Sequence, residues 1–335
     1  MEQVTLGKTG LKISYLGMGG IPIQRSNPED TTKLAHKMLE LGINYIDTAR
    51  GYTVSESYIG EALKGIREHF VLATKSMART KTDMAKDIQT SLHNLQTDYI
   101  DLYQIHNPSK ADLEKVCGKE GALEALIEAR EAGNIGHLGL TAHSLDVFEL
   151  ALDLPWVETI MFPYNLVETQ AEDLIAECHK RNIGFIVMKP LAGGAIEDRA
   201  LALRYISHNP NVSVIIPGMY TETELIENIA AATDQTPLSD LEFSRIEEIR
   251  KQLGTNFCRR CNYCQPCSAD INISSCFLFQ GYLERYGLED WAKERYNAMP
   301  VKAGECISCG VCESRCPYHL PIREMLKKCA KQFGA

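Results

Sequence analysis

Two cysteine runs near the end of this 335-residue chain have spacings suited to metal–thiolate chemistry: Cys258, Cys261, Cys264 and Cys267, then Cys306, Cys309, Cys312 and Cys316. The second reads C-x-x-C-x-x-C-x-x-x-C before Pro317, a spacing in which three thiolates hold one 4Fe-4S cluster and the fourth reaches another. One such run calls for a second, and the first supplies it. Two 4Fe-4S clusters, and with them single-electron transfer, are therefore expected. Structural zinc is the competing reading, because C-x-x-C pairs also make tetrahedral thiolate sites. Zinc sites usually gather two separated pairs, whereas each half here spaces its cysteines two residues apart. Disulfides fit less well. The chain opens Met-Glu-Gln with no apolar stretch behind it, so neither a signal peptide nor a membrane span is expected, and the expected setting is a reducing cytoplasm.

A second set of residues closes short apolar runs upstream. Asp47 ends one, with Tyr52 five residues on; Lys75 ends the next, and His106 the one after. Together they suit reduction of a carbonyl whose oxygen must be protonated as hydride arrives. Tyr52 is the natural acid: a free phenol has a pKa of about 10, and an ammonium at Lys75, fixed by Asp47, favours the phenolate. His106 orients the same oxygen, which then meets two donors where negative charge develops.

The elements that must position these groups follow from periodicity. Residues 1 to about 235 alternate apolar runs with amphipathic segments. Strands are expected at Tyr15–Gly20, Tyr45–Ala49, Val71–Lys75, Tyr99–His106, His137–His143, Thr159–Tyr164, Gly184–Pro190 and Val212–Gly218, separated by helices such as Thr31–Leu41 and Leu123–Ala132. Eight βα units indicate an α/β fold of the (β/α)8 TIM-barrel type, in which chemistry sits at the C-terminal ends of the strands. Residues 4–14 read as a hairpin capping the opposite mouth. Residues 236–253 form a linking segment whose helix, Asp240–Leu253, offers Leu241, Phe243, Ile246, Ile249 and Leu253 for docking on the barrel wall. Residues 254–335 make a small α-rich two-cluster ferredoxin-like domain, with helices expected over Phe277–Tyr286 and Glu289–Tyr296.

The segments Ile46-Asp-Thr-Ala-Arg-Gly-Tyr52, Ala73-Thr-Lys75 and Asp98-Tyr-Ile-Asp-Leu-Tyr-Gln-Ile-His106 resemble the aldo-keto reductase superfamily over residues 3 to about 235. With the cysteine-rich tail, the chain is similar to the branch carrying a C-terminal ferredoxin-type 4Fe-4S domain. The resemblance implies an NADP- or NAD-dependent oxidoreductase acting on a small carbonyl or alcohol, with Tyr52, Lys75, Asp47 and His106 as its tetrad. It also implies nucleotide contacts at Gly20, Ile21 and Asp47, at Thr141, His143 and Met161, along Met188, Lys189, Pro190, Leu191 and Gly193, and at Gly218, Met219, Glu227 and Asn228. Three of these places depart from the common pattern. Thr141-Ala142-His143 stands where many relatives have Ser-Asn, Met161 where they have Gln, and Met219 where many have a cation for the 2′-phosphate. The choice between NADP and NAD stays open, and FMN in the same mouth is an alternative. Hydride carries two electrons and a cluster takes one, so a flavin would bridge the two currencies. By analogy with two-cluster ferredoxins, Cys258, Cys261, Cys264 and Cys316 hold one cluster, and Cys306, Cys309, Cys312 and Cys267 the other. The first run is one residue short before Cys267, and Ser268 replaces the usual proline, which makes Cys276 the substitute ligand.

Net charge bounds the partners. The chain is −9 overall; residues 254–335 carry 11 Lys+Arg against 8 Asp+Glu, hence +3, which leaves −12 on the rest. Thiolate-bound clusters would neutralise that local excess. An acidic barrel argues against nucleic acid. A ferredoxin-like electron partner is expected if the clusters are redox-active; a redox module using the barrel as a docking platform is the reading from another class. Cys117, Cys178 and Cys329 read as isolated structural thiols.

Overall fold

The structure, a computed structural model, describes residues 1–254, 256–260 and 262–334. It opens with an antiparallel hairpin of β1 (Gln3–Thr5) and β2 (Lys12–Ser14). Eight parallel strands follow: β3 (Met18–Gly19), β4 (Tyr45–Asp47), β5 (Val71–Ser76), β6 (Ile100–His106), β7 (Ile135–Thr141), β8 (Thr159–Pro163), β9 (Gly184–Met188) and β10 (Val214–Ile216). Each pairs with its chain neighbour, and a helix lies between each strand and the next. Bridges Leu16–Ile215 and Gly19–Gly218 join the two edges, so the sheet rolls into the expected α/β barrel.

Local chemistry starts the helices where the sequence allows. Asn27, Thr80, Ser109 and Thr221 each accept a backbone N–H three residues ahead, which satisfies orphan donors of the first turn. Leu6 and Ile13 of the hairpin pack with inward residues Tyr45, Val71, Leu102, Ile186 and Val214. Lys8 N donates to Asn182 O at 2.7 Å. The hairpin thus plugs the end where the strands begin and leaves the other end for chemistry. A larger apolar cluster, including Leu34, Ile59, Leu72, Ile88, Leu126, Phe148 and Phe162, lies between strands and helices; fully burying each such side chain contributes about 1.5–3 kcal/mol.

The chain forms two compact units. One comprises Met1–Asn165, Thr169–Pro190 and Asp198–Thr236; the other comprises Leu166–Glu168, Leu191–Glu197 and Pro237–Ala335. The short segments that follow β8 and β9 in the chain thus belong with the C-terminal region, where a single boundary at residue 235 was expected. Polar contacts inside the second unit explain this. Arg250 Nε donates to Leu166 O at 2.7 Å, Arg260 pairs with buried Glu168 at 2.9 Å, and Arg285 Nε donates to Gly193 O at 3.0 Å.

Helices of this unit include Asp240–Gly254, Ile273–Glu284, Glu289–Asn297 and Ile322–Phe333. The second begins a turn before the expected Phe277 because the Asn272 side chain accepts Ser275 N. In the first, Ile246 and Ile249 are buried, but Leu241 and Phe243 are 80% and 52% exposed, so two of the five expected apolar positions are solvated. The aromatic residues form core, with Tyr282 and Trp291 at 4.5 Å between ring centroids and Tyr296 stacked on Phe333 at 4.0 Å. Among the described residues, no helix is long and apolar enough to cross a membrane.

Candidate functional site

Three neighbouring strands deliver the tetrad. Register pairs Asp47 with Ala73 and Lys75 with Gln104, so β4, β5 and β6 end side by side. Beyond β4 the backbone is pinned to β5: Thr48 N donates to Ala73 O at 2.8 Å and Arg50 N to Lys75 O at 3.0 Å. A tight turn, Tyr52 N to Ala49 O and Thr53 at φ 40°, then folds Tyr52 back. Lys75 Nζ stands 4.9 Å from the Tyr52 ring centroid, and the His106 ring meets Tyr52 edge-on at 6.1 Å. From behind, buried Glu56 pairs with Arg50 at 2.8 Å and accepts from Thr74 and Ser91 hydroxyls, each at 2.8 Å. Gly20 N donates to Asp47 O at 2.7 Å, and a Cβ at Gly20 would meet that oxygen at 2.8 Å, so only glycine permits this approach.

Lys75 and Asp47, 2% and 3% exposed, form a buried ion pair. Lys75 Nζ also donates to Thr48 O at 2.5 Å, and Gln104 Nε2 to the other Asp47 oxygen at 3.0 Å. Burial lowers the Lys75 pKa and raises that of Asp47, while their mutual attraction opposes both shifts. The ammonium under the phenol is therefore less firmly protonated than a surface lysine. Gln104 escapes sequence reading because it lies inside β6 among apolar neighbours; its Oε1 is buried with no partner among the described residues.

The residues expected at the nucleotide separate into groups. Thr141 ends β7, and its hydroxyl accepts Asn107 N at 3.2 Å; His143 Nδ1 lies 3.0 Å from Asn107 Oδ1. Lys189, at φ 53°, is held by Asn165 Nδ2 donating to its carbonyl at 3.0 Å. Asn107 directly follows β6, and the rule that found the tetrad would have found it; Asn165 comes two residues after β8. Ile21 starts a 3-10 turn after Gly20, and a Cβ at Gly218 would meet Pro22. Met161 packs in the barrel interior with Leu6 and Ile13, and half-buried Met188 lies against the same cluster. Met219 is fully buried in the outer core. Pro190 is buried, while Leu191 and Gly193 fall in the second unit, where a Cβ on Gly193 (φ 67°) would meet the Tyr286 hydroxyl at 3.0 Å. Glu227 is exposed and 3.5 Å from Arg199.

Two observations suit a dinucleotide. Asn228 is fully buried, yet among the described residues neither Oδ1 nor Nδ2 has a partner, which leaves an amide with a donor and an acceptor to satisfy. Arg25 lies 4.5 Å from the centroid of the Tyr220 ring, directly after Met219. A cation from 195 residues upstream thus stands beside a stretch that carries none of its own.

In the second unit, Cys267, Cys306, Cys309 and Cys312 line one small cavity together with Ser268, Ile273, Gly310, Arg323 and Leu326. Cys258, Cys264 and Cys316 belong to the same apolar cluster, and Cys261 lies outside the described residues. Among the described residues, no three His, Cys, Asp or Glu side chains gather tightly enough for a metal ion; the four cavity cysteines surround a space. An all-thiolate set around such a space fits a polynuclear iron-sulfur group. Cys276, the substitute ligand of the sequence reading, does not line the cavity; it packs against Cys329.

Two stretches of the chain match known families. Residues 14–200 match the Aldo/keto reductase family, and residues 257–321 match a 4Fe-4S dicluster domain. L-galactose dehydrogenase of Arabidopsis thaliana is 27% identical over 301 residues, covering 72% of this chain and 93% of the relative. An oxidoreductase of Bacillus subtilis is 24% identical over 290 residues, 78% and 92% of the two chains. The holo form of an aldo-keto reductase from Bacillus halodurans superposes with a TM-score of 0.64 at 25% identity, covering 74% of this chain and 96% of its own. The protein is an oxidoreductase of the aldo/keto reductase family whose C-terminal region matches the 4Fe-4S dicluster domain.

Proposed function

We propose that the barrel reduces a small carbonyl compound, or oxidises the corresponding alcohol, using NADPH or NADH. The reading is carried by the buried Lys75–Asp47 pair beneath Tyr52, with His106 edge-on to the same phenol. The nicotinamide, when bound, supplies or accepts the hydride. Tyr52 gives its proton to the carbonyl oxygen, and the phenolate left behind is stabilised by Lys75, whose position Asp47 and Thr48 O fix. His106 hydrogen-bonds the oxygen and orients it. The unpartnered Asn228 amide suits the donor–acceptor edge of adenine, and Arg25 suits a 2′-phosphate.

Cys306, Cys309, Cys312 and Cys267 would hold one 4Fe-4S cluster; Cys258, Cys261, Cys264 and Cys316 would hold the other, each adding one-electron exchange with a ferredoxin-like carrier. The shared cavity supports the first set. Tyr52→Phe tests the barrel chemistry: turnover should fall by about 10²–10⁴-fold, the range of general acid catalysis, with nucleotide binding intact. Undiminished turnover in that variant would reject the assignment of Tyr52.

A further inference from the structure

We infer that Cys276 and Cys329 are a redox-active dithiol that closes to a disulfide and staples together two helices walling the cysteine-lined cavity. Cys276 lies on helix Ile273–Glu284 and Cys329 on helix Ile322–Phe333, 53 residues apart in sequence and both fully buried. The Cys329 thiol donates to Cys276 O at 3.5 Å, which places it directly against that residue. Neither lines the cavity, so the pair is left over from any ligand set drawn from the two cysteine runs.

Its position gives the pair a task. Ile273 and Leu326 both line the cavity, and each precedes one of the two cysteines by three residues. Residues at i and i+3 share a helix face, so a bond between the two sulfurs would tie the helices one turn behind the wall they form. Tyr296 stacked on Phe333 at 4.0 Å already joins the C-terminal helix to the core of this unit. Cys276 and Cys329 belong to that same apolar cluster.

The step is a thiol–disulfide exchange with a low-molecular-weight disulfide. The Cys276 thiolate attacks one sulfur of the oxidant, forms a mixed disulfide and releases one thiol. Cys329 then attacks the Cys276 sulfur, and its proton goes to the second departing thiolate. Two protein thiols are oxidised, and one disulfide is reduced to two thiols. The same product follows if the two thiols exchange these roles. The dithiol does not depend on what the cavity holds.

The test uses the full chain, purified anaerobically and equilibrated with a series of glutathione to glutathione-disulfide ratios. Free thiols are then alkylated under denaturing conditions and the peptides mapped. The expected result is a Cys276–Cys329 crosslink with loss of two hydrogens, and a thermal midpoint that rises with the crosslinked fraction. In Cys329→Ser and Cys276→Val the midpoint should not respond to the oxidant; the mapping of the unaltered chain stands whether or not these variants fold. The inference is overturned if Cys276 and Cys329 stay separately alkylated while other cysteines join, or if the crosslink forms without raising the midpoint.

Discussion

Gln104 donates to one oxygen of Asp47 at 3.0 Å while Lys75 takes the other, so the carboxylate is held from two strands at once. Gln104→Met keeps the volume and removes the donor. The Asp47 carboxylate then gains a rotational freedom that loosens Lys75 beneath Tyr52. We expect kcat to fall about tenfold, equivalent to about 1.4 kcal/mol, with the Kd for nucleotide unchanged. Steady-state kinetics beside fluorescence titration separates the two; equal loss in both would mean that Gln104 serves folding and not alignment of the pair.

Arg25 over Tyr220 makes a statement about cofactor choice. In Arg25→Gln, affinity for NADPH should drop about tenfold, the value of about one charge-assisted hydrogen bond to phosphate, and affinity for NADH should stay the same. Titration of both nucleotides against the variant checks this. An equal effect on the two would remove Arg25 from the 2′-phosphate.

Glu158 links acidity to stability. Burial alone would raise its pKa, but the hydrogen bond to His137 at 2.8 Å and the one from Leu138 N at 2.9 Å, with Arg130 nearby, bring it below the ordinary value. A carboxylate depressed in the folded state stabilises fully above its unfolded pKa, about 4.3, and that contribution is lost as pH falls through the folded value. Glu158→Gln should therefore cost about 2 kcal/mol at pH 7, and its stability should converge with that of the parent at low pH. Urea unfolding of both proteins across pH 3–7 measures the gap; a constant gap would contradict the assignment.

Arg260 is buried against Glu168, itself fully buried. Glu168→Ala strips the guanidinium of its carboxylate in a poorly hydrated place, where losing one partner costs about 3–5 kcal/mol. Denaturant unfolding should show the loss, and Arg260→Met combined with Glu168→Ala should recover part of it. A double variant no better than the single would show that the cavity left behind, and not the charge, sets the cost.

Much of the site is legible in the order of residues. Asp47, Lys75 and His106 close apolar runs, and in a parallel barrel every such run ends at the same mouth, so position along the chain translates directly into position in space. Asn107, directly after β6, obeys the same rule. Gln104 does not, because an inward residue within a strand looks like core until its partner across the barrel is known. The helix Asp240–Gly254 shows the opposite failure: its pattern marks Leu241 and Phe243 as buried, yet periodicity says which face is apolar and not whether anything covers it.

Local order suffices for the eight-stranded barrel, the tetrad positions and the two thiolate runs, because each rests on periodicity or on spacing within a few residues. Folding alone brings together Cys267 beside Cys306, Cys309 and Cys312, Arg25 over Tyr220, Glu168 with Arg260, and Cys276 against Cys329. Those pairings join residues tens to hundreds of positions apart. Nothing local encodes them; they follow from how packed elements bury apolar area and satisfy the polar groups buried with it.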